Sequence, residues 1–477
     1  MTSTSLTEDS QPVDVVVIGA GIVGSAIARD LAGTGLSVTL LEGRDDVGDG
    51  TSKANTAILH TGFDATPGTL ESRLVARGYH LLGEYAEQAG IPVERTGALL
   101  VAWNDEERDA LPGLKEKAER NGYRDCAIVD ADEVYARVPD LGPGAVAGLT
   151  VPGESIICTW TTNLALATDA VRRGARLRLG AQVLEVVTDD NGPTTLVTST
   201  GRVRARWVVN AAGLGADHLD QQFGHDRFTV TPRRGELFVF DKLARPMVPC
   251  IVLPVPSSKG KGVLVSPTIY GNVMLGPTSE DLHDRTATGT SEDGFEFLLS
   301  KGRRLMPTLL EEEVTASYAG LRAAIDQGDY LIDLDEEQRY VLVGGIRSTG
   351  LTAGMAIAEH VMDLLEPTEL DLTPRDDLPA PPLMPNIGEA VLRPYQDGDR
   401  IAADPAYGRM VCFCERVTAG EIRDAFNSTI PPSDLDGLRR RTRVMNGRCQ
   451  GFYCGAHTCA LLESRGVERT DDVEAMR

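Results

Sequence analysis

VDVVVIGAGIVGSAIARDLAGTGLSVTLLE, residues 13–42, decides the fold. Val13 to Ile18 is an apolar, β-branched run broken only by Asp14; Gly19-Ala20-Gly21-Ile22-Val23-Gly24 follows, and apolar periodicity continues through Leu31. That order predicts strand, tight turn and helix, and Ser37 to Leu41 predicts a second strand. Glu42 closes it, about twenty residues beyond the first glycine, where an acid accepts hydrogen bonds from a ribose hydroxyl. The three glycines have separate steric tasks: a tight turn, close approach of backbone to a pyrophosphate, and close packing of helix on strand. Free N–H groups at the helix start, around Ile22 and Val23, then attract the phosphates. In a chain with fifty glycines the bare motif is weak, and its complete strand-helix-strand setting is what gives it weight. FAD and NAD both fit at this point, whereas an acid at 42 disfavours a phosphorylated ribose.

Further along, Arg176–Val187 and Thr195–Val197 read as strands, and Arg206 to Ala212 as a buried run ending in Gly213. Leu237–Phe240, Gly262–Ser266 and Asn272–Leu275 are short strands separated by Gly and Pro, which suits an antiparallel sheet. Val341–Gly345 is another strand, and a helical pattern follows from Ala353 to Leu365. Pro374, Pro379, Pro381, Pro382 and Pro385 then break all periodicity and predict an extended linker.

A chain of 477 residues is expected to divide into two or three domains. Its net charge of −23 argues against a nucleic-acid partner, whose phosphates require Lys and Arg. The first residues carry no positive charge and read as a tail without a secretory signal, and no apolar run reaches the roughly 20 residues of a membrane span. Any membrane contact is therefore expected to be peripheral.

Eight cysteines, half of them in Cys412-x-Cys414 and Cys449-x4-Cys454, point to a metalloprotein of the cytoplasm rather than a disulfide framework. Thiolates hold iron-sulfur clusters or zinc, and alternate side chains of an extended C-x-C point the same way. Cys126, Cys158, Cys250 and Cys459 read as plain thiols. Thr418 with Glu421 predicts a capping box. The arginines between 439 and 448 are expected to balance the charge of an anionic cluster.

Val208-Val209-Asn210-Ala211-Ala212-Gly213, Thr51-Ser52-Lys53-Ala54-Asn55-Thr56, Ile58-Leu59-His60-Thr61-Gly62 and Gly345 to Thr352 resemble FAD enzymes of the D-amino-acid oxidase superfamily. The resemblance spans nearly the whole chain and is greatest to the large subunit of anaerobic glycerol-3-phosphate dehydrogenase and its shorter relatives. Residues 412–422 and 440–454 resemble the bacterioferritin-associated ferredoxin module, which implies a 2Fe-2S cluster held by Cys412, Cys414, Cys449 and Cys454; a structural zinc is the alternative.

What this implies is an α/β fold: a discontinuous Rossmann-like FAD-binding domain, an inserted antiparallel-sheet substrate domain and a small helical iron-sulfur module. The expected boundaries are a disordered tail at 1–11, FAD domain at 12–75, 145–228 and 335–370, substrate domain at 76–144 and 229–334, linker at 371–408 and cluster module at 409–477. Gly19, Gly21, Ile22, Val23, Gly24, Glu42, Thr51, Ser52, Val183, Ala212, Gly213, Gly350, Leu351 and Thr352 are expected to bind FAD, with the helix start near Leu351 favouring the anionic reduced flavin.

His60 lies in the stretch expected beside the flavin and is the candidate base. Arg322, Arg234 and Arg347 are candidate anchors for an anionic substrate, Arg322 foremost, because a guanidinium fork matches phosphate and carboxylate. Relatives often differ at the position of Arg347 and carry proline at that of Thr349. The expected reaction is oxidation of a small hydroxylated anion, by resemblance sn-glycerol 3-phosphate, with electrons leaving through the cluster to a redox partner subunit or quinone-linked acceptor. Such an enzyme would be cytoplasmic, with contact at the inner face of a membrane through a partner; oligomeric state stays open. Alternatives are a dehydrogenase of a 2-hydroxy acid such as L-2-hydroxyglutarate, or of an amino acid or secondary amine, and an electron-transfer subunit without turnover.

Overall fold

A computed structural model describes residues 7–8, 11–189, 192–256 and 262–465. Strand Val13–Ile18 lies between Val38–Leu41 and Gly201–Asn210, all parallel, with Arg176–Arg178 outside Val38–Leu41. Tyr340–Gly344 extends the parallel set beside Gly201–Asn210, and the antiparallel strands Leu331–Asp335, Thr194–Thr198 and Val183–Val187 complete the sheet. The long apolar runs of the central strands are explained by burial on both faces. Helix Ile22–Leu31 packs against Gly350–Leu365 and Thr159–Arg172, and Leu70–Ala89 packs against Gly350–Leu365.

The second sheet is mainly antiparallel and runs Glu280–Asp281, Thr231–Phe240, Val273–Gly276, Leu264–Pro267, Ile251–Pro254, Ala98–Ala102, Ala147–Val151, Ala127–Asp130. Val314–Ala324 pairs along the whole of Thr231–Phe240, setting Arg322 opposite Arg233 and Gly320 opposite Gly235. Phe238, Phe240, Leu275 and Leu298 form its core. Strand Ala147–Val151 thus belongs to this sheet, and Leu331–Asp335 to the first, which moves two of the expected domain boundaries. A small sheet of Ile58–Leu59, Ser155–Ile157 and Val93–Glu94 joins the two halves.

Part of the N-terminal tail departs from expectation. Thr7 and Glu8 form a short parallel strand against Gly201 and Arg202, so this part of the tail is structured; residues 1–6 and 9–10 lie outside the described residues. The proline-rich stretch lies pinned to the domains: Arg375 N donates to Gly33 O (2.9 Å), Met384 N to Ala89 O (2.8 Å) and Glu389 N to Ile269 O (2.8 Å). It ends in the short helices Pro394–Gln396, Gly398–Ala403 and Pro405–Gly408. Proline cannot continue a helix, yet its neighbours still donate to other segments.

The C-terminal module has its own core of Val411, Val417, Ile422, Leu438 and Val444 under helices Ala419–Phe426, Leu435–Thr442 and Gly455–Glu463. The capping box is present: the Glu421 carboxylate accepts from Thr418 N at 2.8 Å and the Thr418 hydroxyl from Glu421 N at 3.3 Å. No helix among the described residues is long and apolar enough to cross a membrane.

What clasps the module to the first domain is Asp46, a buried carboxylate that accepts from Arg441 at 2.7 and 2.8 Å and from Arg440 at 2.8 Å. Burial alone would raise its pKa, but the hydrogen bonds and charges of Arg441 and Arg440 prevail and hold it below 3.8. The clasp therefore contributes fully above 3.8 and fades as pH falls through the lowered folded value. Asp46→Ala is expected to cost about 3–5 kcal/mol, because it leaves the buried Arg441 guanidinium without its carboxylate, while Arg440 keeps Asp49. A lower Tm, and earlier release of the module in limited proteolysis, are the measurements.

Candidate active site and cluster centre

One cavity of 1630 Å³ runs from the glycine-rich turn, along the end of the parallel sheet, to the face of the second sheet. At the turn, Gly19 has φ +102°, and a Cβ there would lie 2.5 Å from Ala211 O. A Cβ on Gly24 would lie 1.8 Å from Gly19 O, so this glycine serves packing and does not line the cavity. Gly21, Ile22 and Val23 do line it. Glu42 accepts from Ala20 N (2.8 Å) and Arg44 N (2.9 Å), and burial raises its pKa. Ser52 Oγ accepts from Ile22 N at 2.9 Å, while Thr51 donates to Leu321 O at 2.8 Å. Val183, Ala212 and Gly213 line the same end. A side-chain-free cradle at a helix start, with an acid two strands along, fits the pyrophosphate and ribose of a dinucleotide.

Farther in, Gly350 and Leu351 line the wall at the start of helix Gly350–Leu365, whose first residues have no side-chain cap. Thr352 does not line it. Its fully buried hydroxyl accepts from His60 N at 3.0 Å and faces Ile58 O at 3.4 Å, so its role is to tie helix to strand.

His60 reaches the cavity with a partner that sequence reading missed. Leu59 pairs with Ser155, and this register puts His60 beside Glu154. The His60 Nδ1 to Glu154 Oε2 distance is 3.0 Å, and Glu154 Oε1 accepts from Thr61 N (2.6 Å) and Thr61 Oγ1 (2.9 Å). Glu154 is 1% exposed and fixed from three directions, which directs the other imidazole nitrogen away from it. An acid beside a Pro-Gly turn between apolar runs reads as a solvated hairpin tip, so no local signal marks it.

All three candidate arginines line the cavity, but only one is left without an acid. Arg234 is paired with Glu280 and donates to Gly289 O at 3.0 Å. Arg347 donates to Gly328 O at 3.0 Å and lies 3.6 Å from Glu71. Arg322 makes one long hydrogen bond, to Thr278 O at 3.4 Å, and forms no ion pair among the described residues. Burial, then the charge of Arg233, pushes its pKa below the ordinary arginine value, although a guanidinium remains protonated. A Cβ on Gly235 would lie 2.5 Å from the Arg322 guanidinium, so that glycine makes its room. A desolvated, unpaired cation in a cavity is a receptor for an anion.

In the module, the thiol of Cys412 faces that of Cys454, and Cys414 faces Cys449, each pair influencing the other's ionisation. The neighbouring Cys454 thiol brings Cys412 down to about 6, and Cys454 is itself raised. Backbone N–H groups of Glu415 and Met445 point at Cys412, and those of Tyr453 and Gly451 at Cys449. Left-handed backbone at Arg416, Met445 and Gln450 shapes these loops. No group of three or more His, Cys, Asp or Glu converges as a site for a single ion among the described residues. Two thiolate pairs fit a two-iron cluster, two ligands per iron, better than one zinc.

The arginines around it also have partners within the protein. Arg440 and Arg441 pair with Asp46 and Asp49 and Arg448 with Asp241, which holds the module in place, while Arg443 pairs with Glu415 inside the module.

Fold and site together define a flavin-dependent oxidoreductase joined to an iron-sulfur module. The chain belongs to the FAD dependent oxidoreductase family, whose model matches residues 14–364, and residues 410–464 match the BFD-like 2Fe-2S binding domain. Among its relatives is a glycerol 3-phosphate dehydrogenase of Caloramator mitchellensis, 34% identical over 96% of this chain and 95% of that protein. One subunit of the anaerobic glycerol-3-phosphate dehydrogenase of Escherichia coli K12 is 28% identical over 97% of this chain and 90% of its own. The structure of dithionite-reduced L-alpha-glycerophosphate oxidase from Mycoplasma pneumoniae, with FAD bound, superimposes with a TM-score of 0.74, 29% identity, and coverage of 79% of this chain and all of that one. FAD and a 2Fe-2S cluster are thus the cofactors of this protein.

Proposed function

We propose that the protein oxidises sn-glycerol 3-phosphate to dihydroxyacetone phosphate in this cavity and passes the electrons through the 2Fe-2S cluster to a redox partner or quinone-linked acceptor. It acts in the cytoplasm, with any membrane contact supplied by that partner. The observation that carries the reading is that Arg322, half-buried and without an ion pair among the described residues, shares one cavity with the His60–Glu154 pair. The names of its relatives favour the same substrate.

In this reading Arg322 holds the phosphate, and His60 takes the proton of the C2 hydroxyl on its free nitrogen. Glu154 sets the imidazole's orientation and offsets the positive charge it acquires. FAD, when bound, supplies the acceptor for the hydride that leaves C2. Gly21, Glu42, Ser52, Ala212 and Gly350 belong to the cofactor's share of the cavity, and the second sheet walls the substrate's share from water.

Anaerobic mixing with glycerol 3-phosphate is expected to bleach the flavin within a turnover, while L-2-hydroxyglutarate, glycine and L-proline leave it yellow. Bleaching by one of those three alone would give the site to a carboxylate.

A further inference from the structure

A wedge of aromatic side chains separates the cavity from the cluster module. Trp160 donates its indole N–H to Lys53 O at 3.0 Å, and Tyr318 donates its hydroxyl to Asn55 O at 2.8 Å. Both rings thereby hang on the back of segment 51–56, whose front lines the cavity at Ser52, Ala54 and Asn55. Tyr270, buried, stacks on Trp160 with centroids 5.0 Å apart and planes 26° from parallel. Against Tyr270 lies Arg443 of the module, its guanidinium carbon 4.1 Å from the ring centroid. That guanidinium also grips Glu415, at 2.7 Å, and Glu415 directly follows Cys414. The contacts therefore run without a gap from cavity wall to Trp160, Tyr270, Arg443, Glu415 and a cluster thiolate.

Arg443 is buried at 4% exposure and ends helix Leu435–Thr442 in a left-handed conformation, φ +69°, which turns its side chain toward Tyr270. A planar cation lying on an aromatic face is attracted to it, the more so when desolvated. Tunnelling of an electron weakens steeply across voids or water and less steeply through bonded and closely packed atoms.

We propose that the Trp160–Tyr270 stack, with Arg443 laid upon it, is the medium through which electrons cross from the flavin to the cluster. The inference rests on the hand-over proposed above. One electron leaves the reduced flavin and one ferric ion of the cluster becomes ferrous; the second electron follows once the cluster has given the first to the external acceptor. No electron resides on the rings, which stay closed-shell and act only by contact, and the proton taken from substrate stays outside this route.

The test uses the full-length protein with both cofactors, kept anaerobic, its flavin reduced by light and deazaflavin so that no substrate is involved. Absorbance follows the flavin, and freeze-quenched electron paramagnetic resonance follows the reduced cluster. Trp160→Leu and Tyr270→Leu are expected to slow cluster reduction by about tenfold or more, because an aliphatic side chain leaves a gap where ring atoms were in contact. Trp160→Phe and Tyr270→Phe, which keep a ring in place, should stay within about threefold of wild type. The cluster's midpoint potential should be the same in all four. Wild-type rates in the leucine variants, equal slowing in the phenylalanine variants, or a potential shift that accounts for the slowing would each overturn the proposal. Should a leucine variant lose a cofactor, Arg443→Lys keeps the charge beside Glu415 but removes the flat group from Tyr270; a wild-type rate there overturns the proposal equally. A wild-type protein that never reduces its cluster after photoreduction of the flavin would refute the hand-over itself, and this route with it.

Discussion

Arg322→Met is expected to lower kcat/KM for glycerol 3-phosphate by roughly 30- to 5000-fold, since losing one member of a buried charge pair costs about 2–5 kcal/mol and each 1.4 kcal/mol is tenfold. The size follows from its surroundings. Arg322 is the one candidate arginine without a carboxylate, so substrate brings the negative charge that this side chain lacks. Arg234 and Arg347 already have acids beside them, and their replacement should have smaller effects. Arg322→Lys should recover only part of the loss, because an ammonium cannot present the guanidinium's fork. Steady-state kinetics with an artificial acceptor reads these differences, and an Arg322→Met enzyme with unchanged kcat/KM would remove this residue from substrate binding.

His60→Gln should reduce kcat by about 100- to 10,000-fold, the usual worth of a positioned base, while FAD content stays at the wild-type level. Glu154→Gln separates two functions of the carboxylate. It can still accept from Thr61 and hold His60 by a neutral hydrogen bond, but no longer offsets imidazolium charge. An intermediate loss is expected, visible in the rate of flavin bleaching on rapid mixing. Full turnover by His60→Gln would exclude proton abstraction by this side chain.

The nucleotide end of the site was legible because local sterics dictate it. Gly19 and Gly24 touch backbone where no other residue fits, and that requirement is written in residues 13–42 themselves. His60 and Arg322 stood in family-like stretches and do reach one cavity. Glu154 could not be read, since it meets His60 only through the pairing of Leu59 with Ser155, nearly a hundred residues apart in the chain. Thr352 stands at a helix start, and what its sequence position does not reveal is that the hydroxyl accepts from His60 N, 292 residues away. The partners of the basic run near 440 were hidden for a similar reason. Charge density along a sequence says nothing about whether the nearest anion is a cluster or Asp46, 395 residues away from Arg441. The prolines of 371–408 do end regular structure, but pinning by Arg375, Met384 and Glu389 depends on which surface lies beneath.

The way the C-terminal module is seated has a consequence for any attempt to shorten the polypeptide. Cutting ahead of residue 409 would not yield a clean oxidoreductase half. It would strip the counter-ions from Asp46 and Asp241, uncover the Tyr270 ring and leave Thr315 O without Gln450. The resulting scar would be acidic at one edge and aromatic at another, a surface prone to self-association and sensitive to ionic strength.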